Sequence, residues 1–303
     1  MLDLINKITN IMNIDKILNN QRLVMALIGL NKDKFQELLI TFSKILIEER
    51  NKQKRQRKIG GGRNGMIKDP RQKLFFILFY MKNYPTFDVT GFLFASSKTS
   101  TCDWVHDILP LLEKALGRKL TLPERQIRTP EEFFSLFPGV KEVMLDGLER
   151  PTIRSKNNKT QNKHYSGKKK THTRKNLVLT DKRKILFLSP TKHGKVHDKK
   201  LADKNLLVSK LPIEISLIAD SGFQGVQNIH ENTFIPKKKP RGGVLLQIDK
   251  EMNRLISSTR ISVEYAIGGM KRFKVARDIF RNKNGLDDKF MLLSAGLWNL
   301  HLQ

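Results

Sequence analysis

Cysteine is almost absent from this chain of 303 residues, which contains only Cys102. A single cysteine excludes an internal disulfide and a zinc site built from several cysteines, and it is typical of a reducing compartment. Long apolar runs are also missing, since stretches such as residues 74–81 are far too short to cross a bilayer. Residues 1–7 lack the basic and apolar segments of a secretory signal. The sequence therefore predicts a cytoplasmic protein.

Acidic residues are scarce relative to basic ones. The chain has 57 Lys and Arg against 29 Asp and Glu, a formal net charge of +28 and a pI near 10.2. Such a charge predicts a polyanionic partner. DNA or RNA is favoured over an anionic membrane surface. The length allows one large domain or two ordinary ones.

The first half of the chain has helical periodicity. Apolar residues recur at helical spacing from Leu4 and again after Asn31, a suitable helix cap, which predicts a helical segment over residues 1–58. The glycine-rich residues 60–65 follow and are typical of a flexible connector. They are not a phosphate-binding P-loop, because the Gly-Lys-Ser/Thr ending is missing.

Residues 66–125 predict a helix-turn-helix region. Its parts are a short helix, a polar turn and a longer helix closed by Gly117, over residues 86–95, 96–98 and 99–116. In such a motif the second helix enters a DNA groove, and the side chains placed near that groove are Lys98, Ser100 and Thr101. An ordinary helical hairpin explains the same pattern equally well.

The second half, residues 138–303, changes character. Short apolar runs between polar turns predict strands over residues 142–146, 176–180, 185–188, 215–219 and 233–236. Helical patterns fit residues 198–210 and 249–273. Three hairpin-like strands, a helix, further strands and a long helix predict an α/β mixed sheet with flanking helices. With the all-α region ahead of it, the whole chain is α+β.

Three acids are the candidate catalytic residues. Asp146 and Asp220 each end an apolar run, which delivers a carboxylate to the edge of a sheet. Glu264 lies on a helix with Arg260 and Lys271 close to the same face. Strand Asp, strand Asp and helix Glu is an order suited to holding divalent cations for phosphodiester chemistry. An isolated Asp after an apolar run is more often a cap or a turn former, and Glu264 is also placed to pair with Arg260.

Basic segments supply candidate DNA contacts. The densest lies between two predicted strands over residues 164–175, and its candidate phosphate ligands are Lys168, Lys169, Lys170 and Arg174. A solvated loop is the alternative reading. Asp198 is predicted to be the N-cap of the helix that it precedes, with a supporting active-site role for His197 less favoured.

Together these residues resemble DDE transposases of bacterial insertion sequences, in the branch described as DDE superfamily endonucleases. The resemblance covers the chain from about residue 63 onward and rests on ordered motifs: Asp146-Gly-Leu-Glu-Arg-Pro, Tyr165-Ser-Gly-Lys-Lys-Lys-Thr-His-Thr, His197-Asp198, Asp220-Ser-Gly-Phe-Gln-Gly and Arg260-x3-Glu264-x6-Lys271. It implies an RNase H-like catalytic domain preceded by a helix-turn-helix.

The resemblance also implies a chemistry. Asp146, Asp220 and Glu264 would be the catalytic metal ligands, with Arg260 and Lys271 holding DNA beside them. The implied cofactor is Mg²⁺ or Mn²⁺, as two ions roughly 3.5–4 Å apart. The implied reaction cuts double-stranded DNA at the element's ends and joins the freed 3′-hydroxyl to target DNA.

The implied partners follow from that reaction. The helix-turn-helix would recognise terminal inverted repeats, and because an element has two ends, a homodimer is expected in the DNA complex. The site of action would be the bacterial nucleoid. Two other functions fit the residues: a catalytically inactive or domesticated DNA-binding derivative, and an RNase H-like structure-specific nuclease. Other acids near Glu264 could supply the third carboxylate instead, namely Asp249, Glu251 and Asp278.

Overall fold

The computed structural model describes residues 12–52, 67–282 and 285–303. The predicted apolar repeat from Leu4 to Ile11 and the predicted connector over residues 60–65 lie outside these ranges, as do the predicted boundaries at residues 58 and 66.

The chain divides into two compact units. The first contains the described residues up to Leu122 together with Arg272–Val275 and Asn299–Gln303, and the second contains Pro123–Lys271 and Ala276–Trp298. The first unit is helical and the second is built on a sheet, which confirms the predicted fold class.

Helices make up the described part of the first unit. They are α1 (Ile14–Leu18), α2 (Gln21–Ile28), α3 (Lys32–Lys52), α4 (Pro70–Asn83), α5 (Phe87–Leu93) and α6 (Lys98–Arg118). Every side chain of α4 from Leu74 to Met81 is buried, so this helix forms the centre of the unit. Asp69 starts α4 through a capping box with Gln72. Nowhere in the described ranges is a helix long and apolar enough to cross a membrane.

The predicted helix, turn and longer helix correspond to α5, residues 94–97 and α6. Ser97 caps α6 by accepting a hydrogen bond from the Ser100 backbone N–H. A Cβ on Gly91 of α5 would lie 2.6 Å from the Ser96 carbonyl oxygen, so the turn folds back tightly onto α5. The predicted stop at Gly117 is wrong, because α6 continues through it to Arg118.

The second unit contains one seven-stranded sheet. Its strands are β1 (Glu142–Pro151), β2 (Tyr165–Ser166), β3 (Thr171–Asp181), β4 (Lys184–Leu188), β5 (Lys192–His193), β6 (Ser216–Ala219) and β7 (Thr233–Phe234). The main order is β2-β3-β1-β6-β7, with β4 and β5 also paired to β3. β1 pairs antiparallel with β3 and parallel with β6, and β6 pairs parallel with β7, so the sheet is mixed as predicted.

Helices flank this sheet and enclose its core. They are α7 (Pro130–Leu136), α8 (Asn158–His164), α9 (Asp198–Asn205), α10 (Gln247–Lys271) and α11 (Leu286–Leu302), with 3₁₀ turns at Val208–Lys210, Ser221–Phe223 and Lys274–Ala276. One core cluster joins the sheet to α7 and α9 through Phe133 and Leu201. Another joins it to α10 and α11 through Met270 and Met291. Each face of the sheet is therefore covered by helices.

Side-chain alternation decides which face Asp146 and Asp220 share. Met144 of β1 and Ile218 of β6 pack against Val263 of α10. Side chains two residues apart in a strand lie on the same face. Asp146 and Asp220 each follow one of these residues by two positions, so both project toward α10.

Candidate active site

Asp146 and Asp220 stand side by side on neighbouring strands. Leu145 lies opposite Ala219 in the parallel pairing of β1 with β6, so the next residue along each chain segment is one of the two acids. Asp220 follows the end of β6 as predicted, whereas the predicted strand end at Asp146 is wrong, because β1 continues to Pro151 and pairs there with β3. In each case the backbone N–H of the following residue donates to the Oδ1 atom, at 2.7 Å for Asp146 and 2.6 Å for Asp220, and orients the carboxylate.

Arg260 of α10 places a positive charge between the two acids. Its Nη2 atom lies 3.6 Å from Asp146 Oδ2, and its Nη1 atom lies 3.7 Å from Asp220 Oδ1. One guanidinium therefore contacts both carboxylates. The two carboxylates are therefore close enough to contact one positively charged group together. Binding of one divalent ion by both acids would require the same closeness.

The electrostatics at Asp146 also favour a cation. Burial raises the pKa of Asp146 above its ordinary value, and the negative charges of Asp220 and Asp198 raise it further. The Gly147 N–H and Arg260 act in the opposite direction. The ionised acid is incompletely compensated, and a bound metal ion would stabilise its charged form. The residues present fit a divalent metal ion.

Asp198 corrects one prediction. It is the first residue of α9, and the N-cap is His197, which makes no side-chain capping hydrogen bond. Asp198 Oδ1 lies instead 2.9 Å from Lys175 Nζ and packs against Gly147. One signal in the sequence marks this position, because the His197-Asp198 pair is among the motifs that carry the resemblance.

Glu264 lies one turn after Arg260 on α10, and its side chain is exposed. In the part of the chain that the structure describes, no hydrogen bond or ion pair involves Glu264. Over the same residues, no three His, Cys, Asp or Glu side chains are grouped so that they could hold a metal ion. The structure thus brings Asp146 and Asp220 together and leaves Glu264 outside their contacts.

Lys271 lies within electrostatic reach of Asp146. Burial lowers the pKa of Lys271 and the charge of Lys169 lowers it further, whereas Asp146 and Glu149 act in the opposite direction. Lys169 belongs to the exposed tip between β2 and β3, together with Lys168 and Lys170. The predicted basic segment therefore presents its tip near Lys271.

Arg174 is placed differently from the three tip lysines. It lies within β3, with its Nη2 atom 3.2 Å from Asp287 Oδ2. Its side chain is 26% exposed. The ion pair with Asp287 makes Arg174 a less accessible phosphate ligand than the tip.

The other acids considered for the third ligand have partners elsewhere. Asp249 pairs with Lys237 at 2.8 Å, and Asp278 pairs with Arg277 at 2.9 Å. Glu251 accepts a hydrogen bond from the side-chain amide of Gln247 at 3.0 Å.

In the helical unit, the three predicted groove residues differ in exposure. Lys98 is exposed, and its Nζ lies 3.1 Å from Asp88 Oδ2 in a surface ion pair of the kind that contributes little to stability. Ser100 is partly buried, and its Oγ accepts a hydrogen bond from the Ser97 hydroxyl. Thr101 is fully buried, and its hydroxyl donates to the carbonyl oxygens of Lys98 and Phe87. Thr101 therefore supports the packing of α5 on α6.

Comparison with known proteins is consistent with this geometry. The family described as DDE superfamily endonuclease matches residues 145–299, about half of the chain, and the family described as helix-turn-helix of DDE superfamily endonuclease matches residues 69–118. The chain is 29% identical over 264 residues to a probable transposase for insertion sequence element IS702 of Microchaete diplosiphon. That alignment covers 86% of this chain and 90% of the relative. No solved structure matches the chain.

Proposed function

The chain belongs to the DDE superfamily endonucleases and is a DDE-type transposase with a helix-turn-helix, and we propose that it cuts its own insertion sequence at the two ends and transfers the freed 3′-hydroxyls into target DNA. The observation that carries this proposal is that Asp146 and Asp220 lie side by side and both contact the guanidinium of Arg260. Enzymes of this superfamily depend on divalent metal ions.

Asp146, Asp220 and Glu264 are the residues that we assign to the metal ions, with Mg²⁺ or Mn²⁺ as the metal and two ions as the number. When bound, such ions lower the pKa of a bound water or hydroxyl and stabilise the charge on the leaving oxygen. The acids supply the negative charge that retains the ions. Arg260 and Lys271 supply the positive charge that retains the DNA phosphates.

The assignment of Glu264 rests on its position along α10. Arg260 contacts Asp146, and Lys271 lies within electrostatic reach of the same carboxylate. Glu264 falls between these two bases along the helix, and at about 100° per residue its side chain lies within about 40° of both around the axis. A residue in that position shares the helix face of Arg260, which contacts both aspartates. Its exposure leaves the carboxylate accessible to metal ions and DNA.

Two surfaces contribute to DNA binding in different ways: the exposed lysine tip between β2 and β3, and the start of α6. Lys168, Lys169 and Lys170 are exposed on a tight turn, which suits contacts to backbone phosphates of any sequence. Lys98 and Ser100 lie at the start of α6, the second helix of the helix-turn-helix, where base edges are read. We assign recognition of the terminal inverted repeats to α6 and retention of the backbone to the lysine tip.

Two element ends must be held together during transfer, so we infer that a homodimer forms on DNA. An enzyme with this substrate acts at the bacterial nucleoid. The test is to incubate the full chain with a linear fragment carrying both element ends and Mg²⁺, and to follow cleavage and joining to a plasmid. Cleavage at the element ends and at no other site supports the proposal. Binding without cleavage in either Mg²⁺ or Mn²⁺ contradicts it.

A further inference from the structure

Asp198 packs against the residues that follow each of the two paired acids. A Cβ built on Gly147 would lie 2.5 Å from Asp198 Oδ1, and one built on Gly222 would lie 3.6 Å from Asp198 Oδ2. Gly147 follows Asp146 directly within β1, and Gly222 lies two residues after Asp220 in the 3₁₀ turn Ser221–Phe223. The Asp198 carboxylate therefore contacts β1 and the turn after β6 at once.

A buried lysine holds this carboxylate in place. Lys175 Nζ lies 2.9 Å from Asp198 Oδ1 and 3.6 Å from Glu149 Oε1, and it donates to the Val196 carbonyl oxygen at 3.0 Å. The Lys175 side chain is 9% exposed. The Thr173 hydroxyl donates to Glu149 Oε1 at 3.1 Å, so the second acid of this group is fixed as well. A buried pair of this kind is costly to break from one side, because the remaining charge is left uncompensated.

We propose that Asp198, held by Lys175, is a positioning residue that sets the distance between Asp146 and Asp220 by supporting β1 at Gly147 and the turn after β6 at Gly222. The inference rests on the proposed function, because the distance between the two acids matters only if both bind metal ions. Asp198 acts through these two backbone segments and does not itself hold the metal. Partners that orient metal ligands in this way typically contribute about 10–100-fold to metal affinity.

A purely structural role for Asp198 has a different consequence. As an acid in the first turn of α9, Asp198 also interacts favourably with the helix dipole. If that were its whole contribution, its removal would lower thermal stability and leave the affinity of the folded protein for metal unchanged. Metal affinity is therefore the measurement that separates the two roles.

The test uses the full chain and Mn²⁺ alone as the probe, with free Mn²⁺ measured by its electron paramagnetic resonance signal. Asp198→Asn keeps the shape of the side chain and removes its charge. We expect this variant to bind Mn²⁺ about 10–100-fold more weakly than the wild type while it stays folded. Asp203→Asn is the matched control, because Asp203 lies on the same helix and pairs with Lys199 at 2.8 Å, and the atoms nearest Gly147 and Gly222 belong to Asp198. The control should stay within about twofold of the wild type.

The outcomes separate failure of this inference from failure of the proposed function. If Asp146→Asn abolishes Mn²⁺ binding but Asp198→Asn changes it less than about threefold, the positioning role is wrong and the assigned site stands. If Asp146→Asn leaves Mn²⁺ binding at the wild-type level, the assigned metal site itself is wrong.

A second set of variants tests whether Asp198 acts through Gly147. If Asp198→Asn does not fold, Gly147→Ala alone decides the question, because it keeps the Asp198 charge but displaces its carboxylate and should weaken Mn²⁺ binding. Gly147→Ala forces a Cβ against Asp198, so its effect depends on that side chain. We expect the double variant Gly147→Ala with Asp198→Ala to bind Mn²⁺ no more weakly than Asp198→Ala alone. Fold-losses that multiply would show that the two residues act independently, and would overturn the proposal.

Discussion

Leu145 lies opposite Ala219 in the parallel pairing of β1 with β6, and this one register places Asp146 and Asp220 side by side on the same face of the sheet. The two acids are far apart in sequence, and their meeting depends on a strand pairing that no local pattern specifies. A shift of one residue in this register would turn one acid away from α10. Register here is therefore a requirement of the active site as well as of the core.

Replacing any one acid of the site by its amide should stop the chemistry. Asp146→Asn, Asp220→Asn and Glu264→Gln keep the side-chain shape and remove a charge that metal binding needs. We expect each to lower cleavage and strand transfer by at least about 100-fold while DNA affinity stays within about twofold. Gel assays of cleavage with parallel binding titrations would measure both.

Asp249→Asn, Glu251→Gln and Asp278→Asn are the controls for that series, because their side chains have partners elsewhere. If Glu264→Gln retains strand transfer in Mg²⁺ and one of these three loses it, the third ligand has been assigned to the wrong residue.

Removing the guanidinium between the two aspartates should favour metal binding in the absence of DNA. Arg260 contacts both carboxylates that we assign to the metal ions, so its guanidinium would compete with a metal ion for them. We expect Arg260→Gln to bind Mn²⁺ at least about threefold more tightly, because the guanidinium that competes for the carboxylates is gone. We expect the same variant to bind DNA more weakly, because it has lost a positive charge that retains phosphates. Arg254→Gln, an exposed change on the same helix, should alter neither. Equal or weaker Mn²⁺ binding by Arg260→Gln would show that the guanidinium does not compete with the metal.

DNA affinity should depend on salt through the lysine tip. Each phosphate contact contributes about 0.9 to the slope of log affinity against log salt, because bound counterions are released. Changing Lys168 and Lys169 to Ala should therefore reduce the slope by about 2 and weaken binding to all duplexes alike. A double change at Lys184 and Lys204, which are exposed elsewhere in the unit, is the control. A slope unchanged by the tip double variant would remove this surface from the DNA interface.

The start of α6 should carry preference for element ends. Lys98→Ala and Ser100→Ala should reduce the ratio of affinities for terminal-repeat and random DNA with little loss of random binding, because base contacts specify sequence and phosphate contacts do not. Thr101→Val should instead lower the free energy of unfolding by about 1–3 kcal/mol, since its buried hydroxyl loses two hydrogen bonds. Competition binding and urea unfolding distinguish the two effects. If Thr101→Val kept normal stability but lost the preference for terminal-repeat over random DNA, Thr101 would be a groove residue and its packing role would be wrong.

Acid should cancel the stabilisation that Asp288 provides. Burial alone would raise its pKa, but hydrogen bonds from Arg125 and Thr191 outweigh burial and hold the pKa of Asp288 below its ordinary value of 3.8. The contribution is fully present above that ordinary value and is lost as pH falls through the lower folded value. We expect Asp288→Asn to melt below the wild type at pH 7 and the gap to narrow below about pH 4. A gap as large at pH 3 as at pH 7 would contradict this, and Asp103→Asn serves as the exposed control.

The sequence predicts those parts of the site that depend on period and local chemistry. Short apolar runs predict β1 and β6, and helical spacing predicts that Arg260 and Glu264 lie near one face. The strand end predicted at Asp220 is confirmed, whereas β1 continues beyond Asp146 to Pro151. The sequence does not predict contacts between residues that are far apart along the chain. Asp198 resembles a helix cap locally, and only the fold shows that its carboxylate contacts Gly147 and Gly222.

The local sequence also does not predict which polar residues are buried or paired. Thr101 and Arg174 are polar residues in polar segments, yet one is buried under α5 and the other is paired with Asp287 from a distant part of the chain. The burial of one and the ion pair of the other depend on partners that periodicity does not identify. Exposed residues such as Lys169 raise no such difficulty, since a tight turn between short strands lies at the surface.

The order in which the site residues occur along the chain sets when the enzyme first becomes able to cut. Ribosomal synthesis delivers β1 with Asp146 first, then the segments carrying Asp198 and Asp220, and only later α10 with Arg260 and Glu264. Until α10 has emerged and covered the sheet, the aspartates lack the helix that bears their basic and acidic partners. A nascent chain without α10 lacks Arg260 and Glu264, so the assigned site can be complete only in a nearly finished polypeptide.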